Sequence, residues 1–154
     1  MGLFTLRGTI TAIGQSTFTN GGFNYAYVEF TEADGRRISV RKLSVGNLVS
    51  PTIGLGHAGE FFFDKWGIWG VWLWGVKTTD GFVAFERAPF KTVAIGLLLI
   101  GVVGLPFLLL GIPFLFFAGL LLSKSLQTGA RKRMFYGNDR AEAERLRSRE
   151  AIRI

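Results

Sequence analysis

A long apolar block, which begins at Pro89 and ends at Ser123, limits the folds open to this chain more than any other feature. Lys91 is its one charged residue, so 32 consecutive residues from Thr92 to Ser123 carry no charge. A bilayer core is about 30 Å thick, and a helix that crosses it needs roughly 20 apolar residues. As one straight helix the uncharged stretch would be about 48 Å long. This length is too great for one crossing and too small for two full ones. The apolar block nevertheless predicts a membrane protein.

Three arrangements of this block are compatible with its length. They are a single tilted helix, a helical hairpin that turns near Pro106, and a wedge that enters and leaves one leaflet. Basic residues flank the block on both sides, and Lys and Arg mark the cytoplasmic side of a membrane. A hairpin keeps both flanks on that side, whereas a single crossing separates them. We therefore predict a transmembrane hairpin in a bacterial-type inner membrane, with both termini in the cytoplasm.

Glycine and proline residues inside the block are the candidates for the turn and for helix packing. Small residues let helix backbones approach closely, which drives helix association in lipid. Proline interrupts a helix because its nitrogen carries no hydrogen. The candidates are Gly101, Gly104, Pro106, Gly111 and Pro113. Self-association is also expected, because two short arms leave much of their surface without a partner.

Residues 1–88 have the pattern of a small antiparallel β domain. An Asn-Gly pair at 20–21 and Asp-Gly pairs at 34–35 and 80–81 supply the turn residues of tight hairpins. About six short strands lie between and around these turns, and residues 44–59 read as an irregular connection. In the strand 36–43, alternation puts Ile38, Val40 and Lys42 on one face. Closure into a small barrel, SH3-like or OB-like, removes exposed strand edges. The fold predicted for the whole chain is therefore α+β.

The net charge of +7 is unevenly divided along the chain. Residues 1–88 carry eight basic and seven acidic side chains, whereas residues 124–154 carry nine basic and four acidic ones. The chain thus divides into a nearly neutral domain (1–88), the apolar hairpin (89–123) and a basic cytoplasmic tail (124–154). From residue 138 the tail has helix formers, a capping Asn or Asp, and acids before bases, which predicts a short helix.

A membrane interface is predicted from tryptophans and from the basic flanks of the apolar block. Trp favours the headgroup layer, because one end of its ring system is apolar and the other is polar. Basic side chains beside a membrane attract anionic lipid headgroups. The candidate interface residues are Trp66, Trp69, Lys91, Lys124, Arg131, Lys132 and Arg133.

The residue types give no candidate for catalysis. The chain has no cysteine and His57 is its one histidine, whereas a metal site usually takes three or four ligands. No nucleotide-binding loop or hydrolase motif is present. We therefore predict that the protein is not an enzyme and uses no catalytic residue, metal or cofactor.

These features predict an integral membrane adaptor or scaffold whose cytoplasmic β domain binds a protein partner or another copy of the chain. A homo-oligomeric pore or transport accessory subunit is the first alternative. The second is a membrane-tethered binder of single-stranded nucleic acid, which the near-neutral charge of residues 1–88 disfavours. Its candidate contacts are Arg36, Arg37, Arg41 and Lys42 with Tyr25 and Tyr27.

Overall fold

The structure, a computed structural model, describes residues 2–19, 21–87, 90–104 and 108–150. These residues form an α+β fold with a closed β-barrel. The chain divides into two compact units, which are described separately. The first comprises residues 2–86 and 138–150, and the second comprises residues 87–137.

The first unit contains the strands and one helix. Within the described residues the strands are β1 (Gly2–Ile13), β2 (Ser16–Thr19), β3 (Gly22–Thr31), β4 (Arg37–Gly46), β5 (Ala58–Lys65), β6 (Val71–Thr78) and β7 (Val83–Phe85). Short 3-10 turns occur at Ser50–Thr52 and Gly67–Trp69. The helix α4 (Arg140–Arg149) begins after Asp139, whose side chain accepts a hydrogen bond from the Ala141 amide at 3.0 Å. The predicted capped tail helix is therefore confirmed.

Five of the strands close into a barrel. Around the barrel β1 pairs with β5, β5 with β6, β6 with β4, β4 with β3, and β3 with β1. The β4–β6 pair is parallel, with Leu43 opposite Val71, and the other four pairs are antiparallel. β2 extends the sheet beyond β3, and β7 pairs with β6. The predicted small barrel is thus confirmed, although β2 was not expected as a separate strand.

Alternating apolar residues of the five strands fill the barrel. Phe63 on β5 stacks on Phe4 of β1 with ring centroids 4.9 Å apart, and it meets Phe30 of β3 edge to face at 5.7 Å. Burying rings of this size contributes much of the stabilisation of a small core. The other core side chains include Ile10, Val28, Val40, Leu43, Phe61, Leu73 and Val76.

The strand β4 departs from simple alternation at Lys42. Val40 and Leu43 are both buried, and the two residues between them, Arg41 and Lys42, are both exposed. Lys42 has a φ of 51°, in the left-handed region that side chains other than glycine rarely adopt. This conformation shifts the alternation by one residue. The prediction that Lys42 shares a face with Ile38 and Val40 is therefore wrong, because the left-handed conformation leaves Lys42 exposed beside Arg41.

The hairpin turns agree with the Asp-Gly signals. Gly35 and Gly81 have φ values of 83° and 94°, which glycine adopts without steric cost. The Asn-Gly pair lies partly outside the described residues, because Asn20 is one of those not described. The predicted irregular connection is shorter than expected, since β4 extends to Gly46 and β5 begins at Ala58.

The second unit is helical. Its helices are α1 (Phe90–Val103), α2 (Leu108–Leu126) and α3 (Thr128–Tyr136). α1 packs against α2, and a Cβ atom added to Gly101 would lie 2.8 Å from the Leu115 side chain. A Cβ atom added to Gly104 would lie 3.4 Å from the Gly111 Cα. The two contacts run in opposite directions along the helices, so the pair is antiparallel. Pro106, the predicted turn residue, lies outside the described residues.

Candidate functional site

The helix pair of the second unit has large apolar side chains on its surface. Val103 is 77% exposed, Phe116 is 66% exposed and Leu126 is 84% exposed. Soluble proteins rarely present so many contiguous apolar side chains to water. The others exposed on α1 and α2 are Val93, Ile95, Leu98, Leu99, Ile100, Val102, Ile112, Phe117 and Leu122.

Apart from Lys124 of α2, the residues of α1 and α2 that are described as buried are small. Ala94 and Gly101 are buried in α1, and Gly111 and Ala118 are buried in α2. The members of each pair are seven residues apart, which is about two helical turns, so they lie on one face of their helix. The two glycines are at the α1–α2 contact. The helix contact therefore includes small residues, and many large apolar residues are exposed, the reverse of the usual pattern in a soluble helix pair.

The predicted turn and packing residues divide into three groups. Gly101, Gly104 and Gly111 come together at the helix contact. Pro113 lies inside α2, away from both ends of the helix. Pro106 is not described. Within the described residues one helical segment, Gly111–Tyr136, is long and apolar enough to cross a bilayer by length and composition, and α1 is apolar but shorter.

The predicted interface cations differ in exposure. Lys91, Lys132 and Arg133 are exposed, whereas Lys124 and Arg131 are buried. Headgroup contact requires a reachable ammonium or guanidinium group. The exposed three are therefore the better candidates for contact with lipid.

The four tryptophans occupy different environments. Trp74 is buried against the rings of Phe62 and Phe85, each with its centroid 5.4 Å away, and this cluster is separate from the barrel core. Trp72 is half-buried. Trp66, also half-buried, donates its indole N–H to the Asp64 carboxylate at 3.1 Å, and Trp69 is 64% exposed. The two predicted interface tryptophans thus both lie in the β5–β6 connection.

The β5–β6 connection, residues 66–70, is held close to β4. The Trp66 amide donates to the Gly70 carbonyl at 2.9 Å, which closes the loop. Gly70 has a φ of 115°, and a Cβ atom there would lie 2.5 Å from the Lys42 carbonyl oxygen. Only glycine permits this approach. The loop therefore places Trp69 beside the outward-turned Lys42.

A polar cleft of about 360 Å³, here called the Trp69 cleft, lies between this loop and the hairpin of β2 and β3. Between two of its lining residues, the Ser44 hydroxyl donates to the Asn24 Oδ1 atom at 2.6 Å. Burial raises the pKa of the Tyr25 hydroxyl, so this lining group ionises only at a higher pH than an exposed tyrosine does. The lining residues are Gln15, Thr17, Asn24, Tyr25, Ala26, Lys42, Ser44 and Trp69.

A second depression of about 590 Å³, here called the Lys65 groove, adjoins the other side of Lys42. Its cations are Arg41, Lys42 and Lys65. No carboxylate lines either depression in the part of the chain that the structure describes. The remaining lining residues of the groove are Phe4, Ile38, Ser39, Val40, Gly67, Gly70 and Val71.

Sequence reasoning found only part of this site. It identified Arg41 and Lys42 as candidate nucleic-acid contacts, and the structure brings both to the groove. Arg36 is engaged elsewhere, since its Nε atom donates to Glu32 at 2.8 Å, and this carboxylate raises the pKa of Arg36. Lys65 was missed, because nothing in its local sequence relates it to β4. The signal that joins them is the long-range pairing of β4 and β6, since Val71 of β6 lies opposite both Leu43 of β4 and Lys65 of β5.

The described residues contain no group of three or more His, Asp or Glu side chains placed to hold a metal ion. Comparisons of this chain with protein-family models, curated proteins and solved structures gave no significant match.

Proposed function

We propose that this protein is a non-catalytic integral membrane adaptor, held by an in-and-back helical hairpin, whose barrel binds a protein partner or a second copy of the chain in the cytoplasm. The observation that carries the proposal is the reversed packing of α1 and α2. Among the described side chains of these helices, four small residues, Ala94, Gly101, Gly111 and Ala118, are buried, and twelve large apolar residues are exposed. Transferring one such side chain out of water is worth about 1.5–3 kcal/mol, and a bilayer provides that environment for all of them.

The dimensions of the helices support a short hairpin. At 1.5 Å per residue α1 is about 21 Å long and α2 about 28 Å long. Both are below the 30 Å of a typical hydrocarbon core, and local thinning of the bilayer accommodates such a mismatch at modest cost. The antiparallel contact of Gly101 with Leu115 favours a hairpin over one straight crossing.

The barrel offers a surface for a protein partner. Its strand order, with the third and fifth barrel strands parallel, is that of an OB-like barrel rather than an SH3-like one. All four residues of β2 are exposed, and in the described part of the chain β2 pairs with β3 alone. An exposed strand edge binds an extended peptide through main-chain hydrogen bonds. Phe18, 64% exposed, adds an aromatic contact beside that edge.

Reporter fusions test the hairpin. We expect green fluorescent protein to fluoresce at either terminus, and alkaline phosphatase to be active when inserted after residue 106 and inactive at the C-terminus. This pattern follows if positive flanks keep both ends in the cytoplasm. The controls are a known single-span protein and a soluble cytoplasmic protein carrying the same fusions. An active phosphatase at the C-terminus would contradict the hairpin, and inactivity after residue 106 would favour the one-leaflet wedge.

Lipid binding tests the role of the exposed cations beside the helices. In the double variant Lys132→Gln with Arg133→Gln, we expect weaker retention of anionic lipid in the purified protein. Two charges at about 1 kcal/mol each correspond to roughly a 30-fold loss of affinity. Arg145→Gln with Arg147→Gln, two cations on α4, is the matched control and should change retention less. Equal losses in both double variants would show that the position of the charges is irrelevant. Retention is measured by mass spectrometry of co-purified lipid.

A further inference from the structure

The Trp69 cleft and the Lys65 groove are adjacent depressions on one surface of the barrel. They share Lys42, and the loop that carries Trp69 separates them. One side of Lys42 presents an exposed indole with amide and hydroxyl groups, and the other side presents two further cations, Arg41 and Lys65. The surface therefore combines an aromatic platform, hydrogen-bonding groups and positive charge.

The near-neutral charge of the domain does not apply to this surface. Glu60 is paired with Arg7 at 2.9 Å, and Glu32 is paired with Arg36. Neither pair lines the cleft or the groove, where Arg41, Lys42 and Lys65 meet no lining carboxylate in the described residues. The local charge is thus +3, although the domain as a whole is almost neutral. An anionic ligand is the complement of this surface.

We propose that this surface binds single-stranded nucleic acid, with a base stacked on Trp69 and phosphates held by Arg41, Lys42 and Lys65. Proteins that bind single strands combine a cationic groove with aromatic side chains on which bases stack. The Asn24 and Ser44 side chains line the cleft and offer hydrogen-bonding groups to a base edge. Ser44 donates to the Asn24 Oδ1 atom, so the Asn24 NH₂ group is the donor that this side chain keeps for a ligand.

A single strand explains this surface better than a lipid headgroup does. The phosphate of either ligand would contact the cations. The exposed ring and the amide and hydroxyl groups of the cleft match a base, which offers a flat face and polar edges. The proposal is independent of the membrane anchor and goes beyond the adaptor function.

Fluorescence anisotropy of the full chain in phosphatidylcholine nanodiscs, with a fluorescein-labelled oligothymidylate about 20 nucleotides long, tests the proposal. We expect Trp69→Ala to weaken binding about tenfold and Trp69→Phe to weaken it less. Phe18→Ala is the matched control, since Phe18 and Trp69 are both 64% exposed, and it should leave affinity unchanged. Lys65→Gln should lower the slope of log affinity against log salt by about 0.7. Arg7→Gln, outside the surface, should not change the slope.

Three results would overturn the proposal. The first is the absence of salt-dependent oligothymidylate binding by the unaltered chain. The second is an equal loss of affinity in Trp69→Ala and Phe18→Ala, with circular dichroism confirming that both variants are folded. The third is that Trp69→Ala and Lys65→Gln weaken binding to vesicles of phosphatidylcholine and phosphatidylglycerol but leave oligothymidylate binding intact. That result would assign the surface to lipid headgroups.

Discussion

Replacing Gly101 with leucine is expected to destabilise the helix pair by about 3 kcal/mol in detergent, because overpacking at a tight contact costs up to about that amount. The added Cβ atom alone would lie 2.8 Å from the Leu115 side chain and 3.1 Å from its backbone nitrogen. The backbone cannot yield without separating α1 from α2. Unfolding with sodium dodecyl sulfate, followed by circular dichroism, measures the loss.

Gly96→Leu is the matched control for this variant. Gly96 also lies in α1, and beyond its chain neighbours and its own helix backbone a Cβ atom there would meet nothing within 4 Å. Leucine is a better helix former than glycine by about 1 kcal/mol, so this variant should be slightly more stable than the unaltered protein. The two substitutions therefore carry opposite expected signs. Equal effects would mean that Gly101 is not at a helix contact.

Gly70→Ala is expected to destabilise the barrel by about 3 kcal/mol, since a residue held in a sparsely populated backbone region costs 1–3 kcal/mol and the clash adds to it. Gly70 has a φ of 115°, and its Cβ atom would lie 2.5 Å from the Lys42 carbonyl oxygen. The β4–β6 pairing begins one residue later, at Leu43 and Val71. The substitution therefore acts beside the β4–β6 strand pair, which closes the barrel.

Gly67→Ala separates backbone strain from the clash in this loop. Gly67 has a φ of 67°, and a Cβ atom there meets nothing within 4 Å. Alanine at this position should cost only about 1 kcal/mol, the usual penalty of the left-handed conformation. Urea denaturation followed by tryptophan fluorescence gives both values. A Gly70→Ala loss no larger than that of Gly67→Ala would show that β4 moves away freely.

The barrel could be predicted because its signals are local. Alternating apolar residues mark the strands, and the Asp-Gly pairs mark two of the turns, with φ values of 83° and 94° at the glycines. The sequence does not distinguish the SH3-like from the OB-like order of strands, because pairing partners such as Leu43 and Val71 are far apart in sequence. No local pattern encodes that choice.

The candidate site was predictable only in its parts. Trp69 and Lys42 were both singled out, but for different functions. The left-handed φ of Lys42 turns its side chain out of the expected face, and alternation alone cannot show such a break. The burial of Lys124 and Arg131 was also missed, because a basic sequence near an apolar block is ordinarily solvated. Tertiary packing overrides the local pattern in each case.

The pairing of β1 with β5 has a consequence for the order of folding. Gly2 lies opposite Lys65, so the first strand remains without this partner until more than sixty residues have been synthesised. Closing so long a loop is slow compared with forming the β3–β4 hairpin, whose partners are close in sequence. Closure also needs β6, which ends at Thr78, only twelve residues before α1 begins at Phe90. The last strand of the barrel is therefore synthesised only shortly before the apolar helices, and any truncation before β6 leaves the barrel ring open.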